Sequence, residues 1–159
     1  MPMGDSQPGD DSLFARTPNH AEAPWPPATG NADRSLRVSV PYTTHARTLA
    51  ALRIVSQLGA GLDVRPRVLI FSTLPLTYGH LVPPGYLEGL IQALARESPL
   101  EFTVQVCLCR HAHESLRRLL PIHALVVIGG KRRWWPTTER LLAERLGKDG
   151  HEVIFVDWD

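Results

Sequence analysis

The last third of the chain sets the fold class. Ala124-Leu125-Val126-Val127-Ile128 is a short continuous apolar run closed by Gly129-Gly130. Residues 136–146 then repeat apolar positions at helical spacing, and Lys148-Asp149-Gly150 turns the chain into His151-Glu152-Val153-Ile154-Phe155-Val156. A strand, a helix and a second strand in that order form a crossover unit, which implies a parallel sheet. Ligands of open parallel sheets bind outside the carboxyl ends of the strands. The segment after Ile128 is therefore the first place to look for function.

The same alternation runs upstream. Leu36-Arg37-Val38-Ser39-Val40 reads as a first strand stopped by Pro41, and residues 45–58 as a helix with Ala51, Leu52, Val55 and Leu58 on one face. Gly59 and Gly61 end that helix. Residues 67–72 are almost unbroken in apolar character, the pattern of a parallel strand covered on both faces. A proline-rich loop at residues 73–84 leads to a second helix carrying Leu87, Leu90, Ile91 and Leu94. Residues 102–108 alternate apolar and polar side chains, as an edge strand does, and a short third helix follows at residues 113–120. The expectation is a single α/β domain at residues 35–159.

Residues 1–34 differ in kind. They are rich in Pro, Gly, Asp, Asn and Ala, and carry net charge −3 against +4 for the rest. Such a stretch buries too little apolar surface to offset its ordering entropy, so a disordered tail is expected. Trp25 among prolines could dock on a protein partner. The near-neutral total of +1 gives no reason to expect nucleic acid. No apolar run approaches a membrane span, and the start of the chain lacks the features of a secretory signal. Two cysteines, Cys107 and Cys109, suggest no disulfide framework and suit a cytoplasmic location.

Val38-Ser39-Val40-Pro41, the helix at residues 45–58, the proline-rich loop after the second strand, and Leu125-Val126-Val127-Ile128-Gly129 through Val153-Ile154-Phe155-Val156 together resemble the universal stress protein family. The resemblance spans residues 36–157. It implies an open, Rossmann-like five-stranded parallel sheet of order 3-2-1-4-5 with helices on both faces. It also implies a homodimer joined through the fifth strand, at Val153, Ile154, Phe155 and Val156. Many members bind ATP through a Gly-x-x-Gly-x9-Gly-Ser/Thr pattern after strand four and an Asp after strand one. Here Gly129 matches the first glycine, but the later positions hold Arg132, Leu142 and Ala143, and the acidic position is Thr43. Glycine lets backbone amides approach a phosphate, and bulky side chains remove that approach. These departures argue against ATP held in the family's usual way, and no cofactor is expected.

The best candidate site is the segment Gly129-Gly130-Lys131-Arg132-Arg133-Trp134-Trp135-Pro136, with Thr43 opposite. Three successive cations precede a helix N-terminus, where anions are favoured, and a tryptophan could stack on a ring. The alternative is a solvated basic loop. Cys107, Cys109, His111 and His113 lack the spacing of a zinc site. No nucleophile elbow or P-loop occurs. Glu139 and Glu144 read as the outer face of the fourth helix, and Tyr78 and His80 as loop residues above the strand ends. The resulting expectation is a dimeric regulatory or binding protein without catalysis. The alternative is a nucleotide- or phospho-ligand sensor or enzyme using residues 129–135.

Overall fold

The computed structural model describes residues 35–73, 84–131, 133 and 136–158. The tail with Trp25, the loop residues Tyr78 and His80, and the cluster members Arg132, Trp134 and Trp135 lie outside the described residues. Nine elements alternate: β1 (Leu36–Pro41), α1 (His45–Leu58), β2 (Val64–Thr73), α2 (Pro84–Glu97), β3 (Thr103–Cys109), α3 (Ala112–Leu119), β4 (Leu125–Gly130), α4 (Thr138–Lys148) and β5 (Glu152–Asp157). The five strands form one sheet of order β3-β2-β1-β4-β5. Every pairing is parallel. This is the open Rossmann-like α/β fold expected.

The apolar runs are continuous because both faces of the sheet are covered. Val38, Val40, Val68, Ile70 and Val127 pack with Leu49, Leu52 and Val55 of α1 and Leu94 of α2. Alternate residues of the same strands, Leu69, Val126 and Ile128, pack with Leu116 of α3 and Leu146 of α4. A period of two along each strand thus feeds two separate cores. The described helices include none long and apolar enough to cross a membrane.

Local chemistry fixes the helix ends. Thr44 caps α1 by accepting from Arg47 N–H, and Thr137 caps α4 by accepting from Arg140 N–H. Gly150 turns the chain from α4 into β5 with φ 89°, a backbone region that favours glycine.

Several boundaries differ from the sequence reading: β1 takes in Pro41, β3 and α3 each shift by one residue, and three further changes have a local reason or bear on the site. β2 begins at Val64 and runs through Pro66, which the sequence leaves outside the strand. Pro66 lies opposite Val38, while β3 first pairs at Arg67, so β2 has a neighbour on one side only at the proline. Gly129 and Gly130 belong to β4 itself, paired with Val156 and Asp157, and the loop starts at Lys131. Helix α4 begins at Thr138, after its Thr137 cap, two residues later than expected.

Candidate functional site

From β1 the chain moves outward through β2 to β3, then crosses back to lay β4 on the other side of β1. The carboxyl ends of β1 and β4 therefore flank the switch point where this fold places ligands. The structure brings Thr43, Gly129 and Gly130 together there. Thr43 Oγ1 donates to the Gly129 carbonyl at 2.9 Å. The Thr43 N–H donates to Oγ1 of the buried Thr48 at 3.3 Å. Lys131 follows, half-buried, and Arg133 is exposed.

Packing requires glycine at 129 and crowds any side chain at 130. A β-carbon on Gly129 would lie 2.0 Å from the Arg47 carbonyl oxygen, inside the first turn of α1. On Gly130 it would lie 2.5 Å from the Phe155 ring and 3.1 Å from Cβ of Glu139. Hydrogen at these positions lets α1 and α4 close down on the strand end. Arg47 and Glu139 then meet across the gap, Nη1 to Oε1 at 2.6 Å. Their side chains are 25% and 18% exposed. The switch point is thus occupied by the chain's own backbone and by an ion pair.

Arg47 and Glu139 are the residues the sequence reading missed. Glu139 turns inward, against the expectation of an outer-face carboxylate; Glu144 does keep to the surface, paired with Arg140 at 3.3 Å. The available signal was position: Glu139 lies in the first turn of α4, where an acidic side chain faces the positive end of the helix dipole.

Two open hollows of about 450 Å³ lie elsewhere on the described surface, neither lined by Arg47, Gly129, Gly130 or Glu139. One lies between Tyr42, His45, Tyr86 and Leu90, over Gly85 and Gly89. Burial, and then the neighbouring Tyr86, raise the Tyr42 phenol above its ordinary range. His45 Nε2 approaches Glu97 Oε1 at 3.1 Å across α1 and α2. The other hollow is lined by Arg110, His111, His113, Glu114 and Arg145. His113 Nε2 faces Asp149 Oδ2 at 3.7 Å, and Arg117 bonds the same carboxylate oxygen at 3.1 Å.

Cys107 and Cys109 are free thiols on β3, the first half-buried and the second buried. Burial raises the Cys107 thiol, with Cys109 adding to the shift and Arg67 opposing it. Burial also lowers Arg67. A raised thiol is a poor nucleophile at neutral pH. Among the described residues no three His, Cys, Asp or Glu side chains gather as a metal-binding group.

β5 forms an edge of the sheet. Val153, Ile154, Phe155 and Val156 are all half-buried. Val153 and Phe155 touch one core, and Ile154 and Val156 the other. No protein-family model and no curated protein matches this chain.

Proposed function

We propose that this protein is a universal-stress-like regulatory or binding protein that works through its surfaces and pairs with a second copy of itself, without catalysis. The observation that carries this reading is the closed switch point: α1 and α4 seated on Gly129 and Gly130, with Arg47 bonded to Glu139 above them. A nucleotide held in the family's usual way needs backbone amides facing open space there. The strand order of the sheet is the one the resemblance implies, and it is shared with other doubly wound proteins, so it supports the reading at the level of fold. The free cysteines suit the reducing cytoplasm, where we place the protein.

Self-association follows from the exposed edge. Unpaired N–H and C=O groups on a half-apolar strand are a template for another strand, and a two-fold axis beside β5 would satisfy both copies. Light scattering should find a dimer, and Val153→Pro, which removes a backbone donor on the outward side of β5, should give a monomer. A monomeric wild type ends this part of the reading.

ATP tests the rest. Affinity is expected to be no tighter than about 10–100 µM, roughly 5.5–7 kcal/mol, and to fall with salt. Calorimetry at physiological ionic strength that finds tighter binding, or protein purified with bound nucleotide, overturns the reading. It would favour the second one, a phospho-ligand sensor or enzyme. That alternative draws support from Lys131 and Arg133 beside the end of β4.

A further inference from the structure

The two edges of the described sheet are not alike. On β5 the four apolar residues Val153 to Val156 are all half-buried. On β3, the opposite edge, Val106 is 41% exposed and Leu108 is 68% exposed. Edge strands are ordinarily blunted by a charge, a proline or a bulge. Thr103–Cys109 contains no charged residue and no proline, and it pairs with β2 in unbroken register along its whole length. The charges stand just outside the strand. Glu101 precedes it and Arg110 follows it, and both are exposed.

The backbone groups on the outward side can be named. Tyr42 N–H donates to the Leu69 carbonyl, so Leu69 turns its backbone groups toward β1, and the alternate residues Val68, Ile70 and Ser72 turn theirs toward β3. The β2–β3 register then bonds Thr103, Gln105, Cys107 and Cys109 to β2. Val104, Val106 and Leu108 are left presenting N–H and C=O away from the sheet. The side chains of the same three residues share one face.

We propose that β3 is a second self-association edge, which takes β3 of another copy of this chain, antiparallel about Val106. In that register Val106 lies opposite Val106 and Val104 opposite Leu108, each pair exchanging both backbone bonds. Glu101 of each copy comes beside Arg110 of the other. A parallel pairing in register would instead set Glu101 on Glu101 and Arg110 on Arg110. The charges thus select a second copy, and in one orientation. A contact one strand wide is smaller than a standard interface, so pairing is weak and needs about 100 µM chain or more. It goes beyond the pairing through β5 and does not depend on it.

The test is sedimentation velocity on the full chain. Val153→Pro, which blocks β5, isolates the β3 edge; it should be monomeric at about 10 µM and dimeric at about 500 µM. Adding Val106→Lys sets two lysines face to face on the axis and should keep the chain monomeric throughout. Adding Arg110→Glu instead turns both end pairs repulsive and should weaken the dimer about tenfold. Glu101→Arg together with Arg110→Glu should restore it. If Val153→Pro folds poorly, the same substitutions in the wild-type chain are read as loss and recovery of the larger species formed at high concentration.

A Val153→Pro chain that stays monomeric at every concentration overturns the proposal and leaves β3 to a foreign strand. A Val106→Lys variant that dimerises as readily also overturns it, since the contact would then lie elsewhere. A charge exchange no better than the single reversal overturns the antiparallel register. Failure of the β5 reading shows differently, as a wild type that is monomeric at low concentration.

Discussion

Replacing Gly129 by alanine probes the closure most directly. The added methyl would lie 2.0 Å from the Arg47 oxygen, 2.6 Å from its carbonyl carbon and 3.2 Å from its Cα. All three are backbone atoms, so no rotamer change relieves the clash. The first turn of α1 must lift by an ångström or more. Overpacking of this kind costs about 1–3 kcal/mol and at times more. The Thr43–Gly129 hydrogen bond is strained with it, worth about 0.5–1.5 kcal/mol. Alanine returns about 0.4–1 kcal/mol by restricting the unfolded chain. The net loss is about 0.5–4 kcal/mol with its middle near 2, or roughly 8 °C in melting temperature for a domain of this size. Thermal and urea melts followed by circular dichroism measure it, with the urea slope unchanged if the unfolded state is unaffected. Gly89→Ala is the control. Among the described residues nothing lies within 4 Å of a β-carbon there, in the body of α2, so it should stabilise by about 0.5–1 kcal/mol. A Gly129→Ala protein melting within about 2 °C of the wild type would refute the packing argument.

Two further outcomes follow from the ion pair and the buried titrating groups. A double-mutant cycle on Arg47 and Glu139 should return a coupling of about 1–2 kcal/mol, against about 0.5 or less for the exposed Asp63–Arg65 pair; equal couplings would mean the enclosure is unimportant. Burial raises Cys107 above 9.0 and Tyr42 above 10.0, so the folded chain keeps protons that the unfolded chain has released. Stability should be full below about pH 9 and decline as pH rises through the folded values. Cys107→Ala should flatten the first part of that decline in pH-dependent urea melts, and an unchanged slope would count against the assignment.

The crossover units were legible because two-sided burial writes continuous apolar runs, and Leu125 to Ile128 can hardly be anything else. What escaped was the use made of small and charged residues. A glycine at a strand end reads the same whether a phosphate or a helix turn approaches it, and Gly129 is approached by Arg47. Glu139 on a helix of alternating charge reads as solvated until α1, ninety residues upstream in sequence, is laid beside it. Pro66 stays outside the strand read at residues 67–72, and the sequence gives no hint that β2 has one neighbour at that point. Periodicity records which face is buried; it does not record which distant element does the burying.

The central position of β1 has a consequence for how the chain is made. β1 pairs with β2 almost at once, Leu36 against Val64, but its other neighbour is reached only at Leu125, opposite Val38. While the ribosome is still adding the second half, the β1-β2-β3 sheet can form with one flank of its middle-most strand bare. Distant pairings close slowly, and a bare flank invites pairing with other chains meanwhile. Of the two strands that arrive last, β5 also carries an edge proposed for self-association. A chain truncated before Leu125 should therefore be soluble only at low concentration, and the vulnerable period in biosynthesis is the time taken to translate residues 74–124.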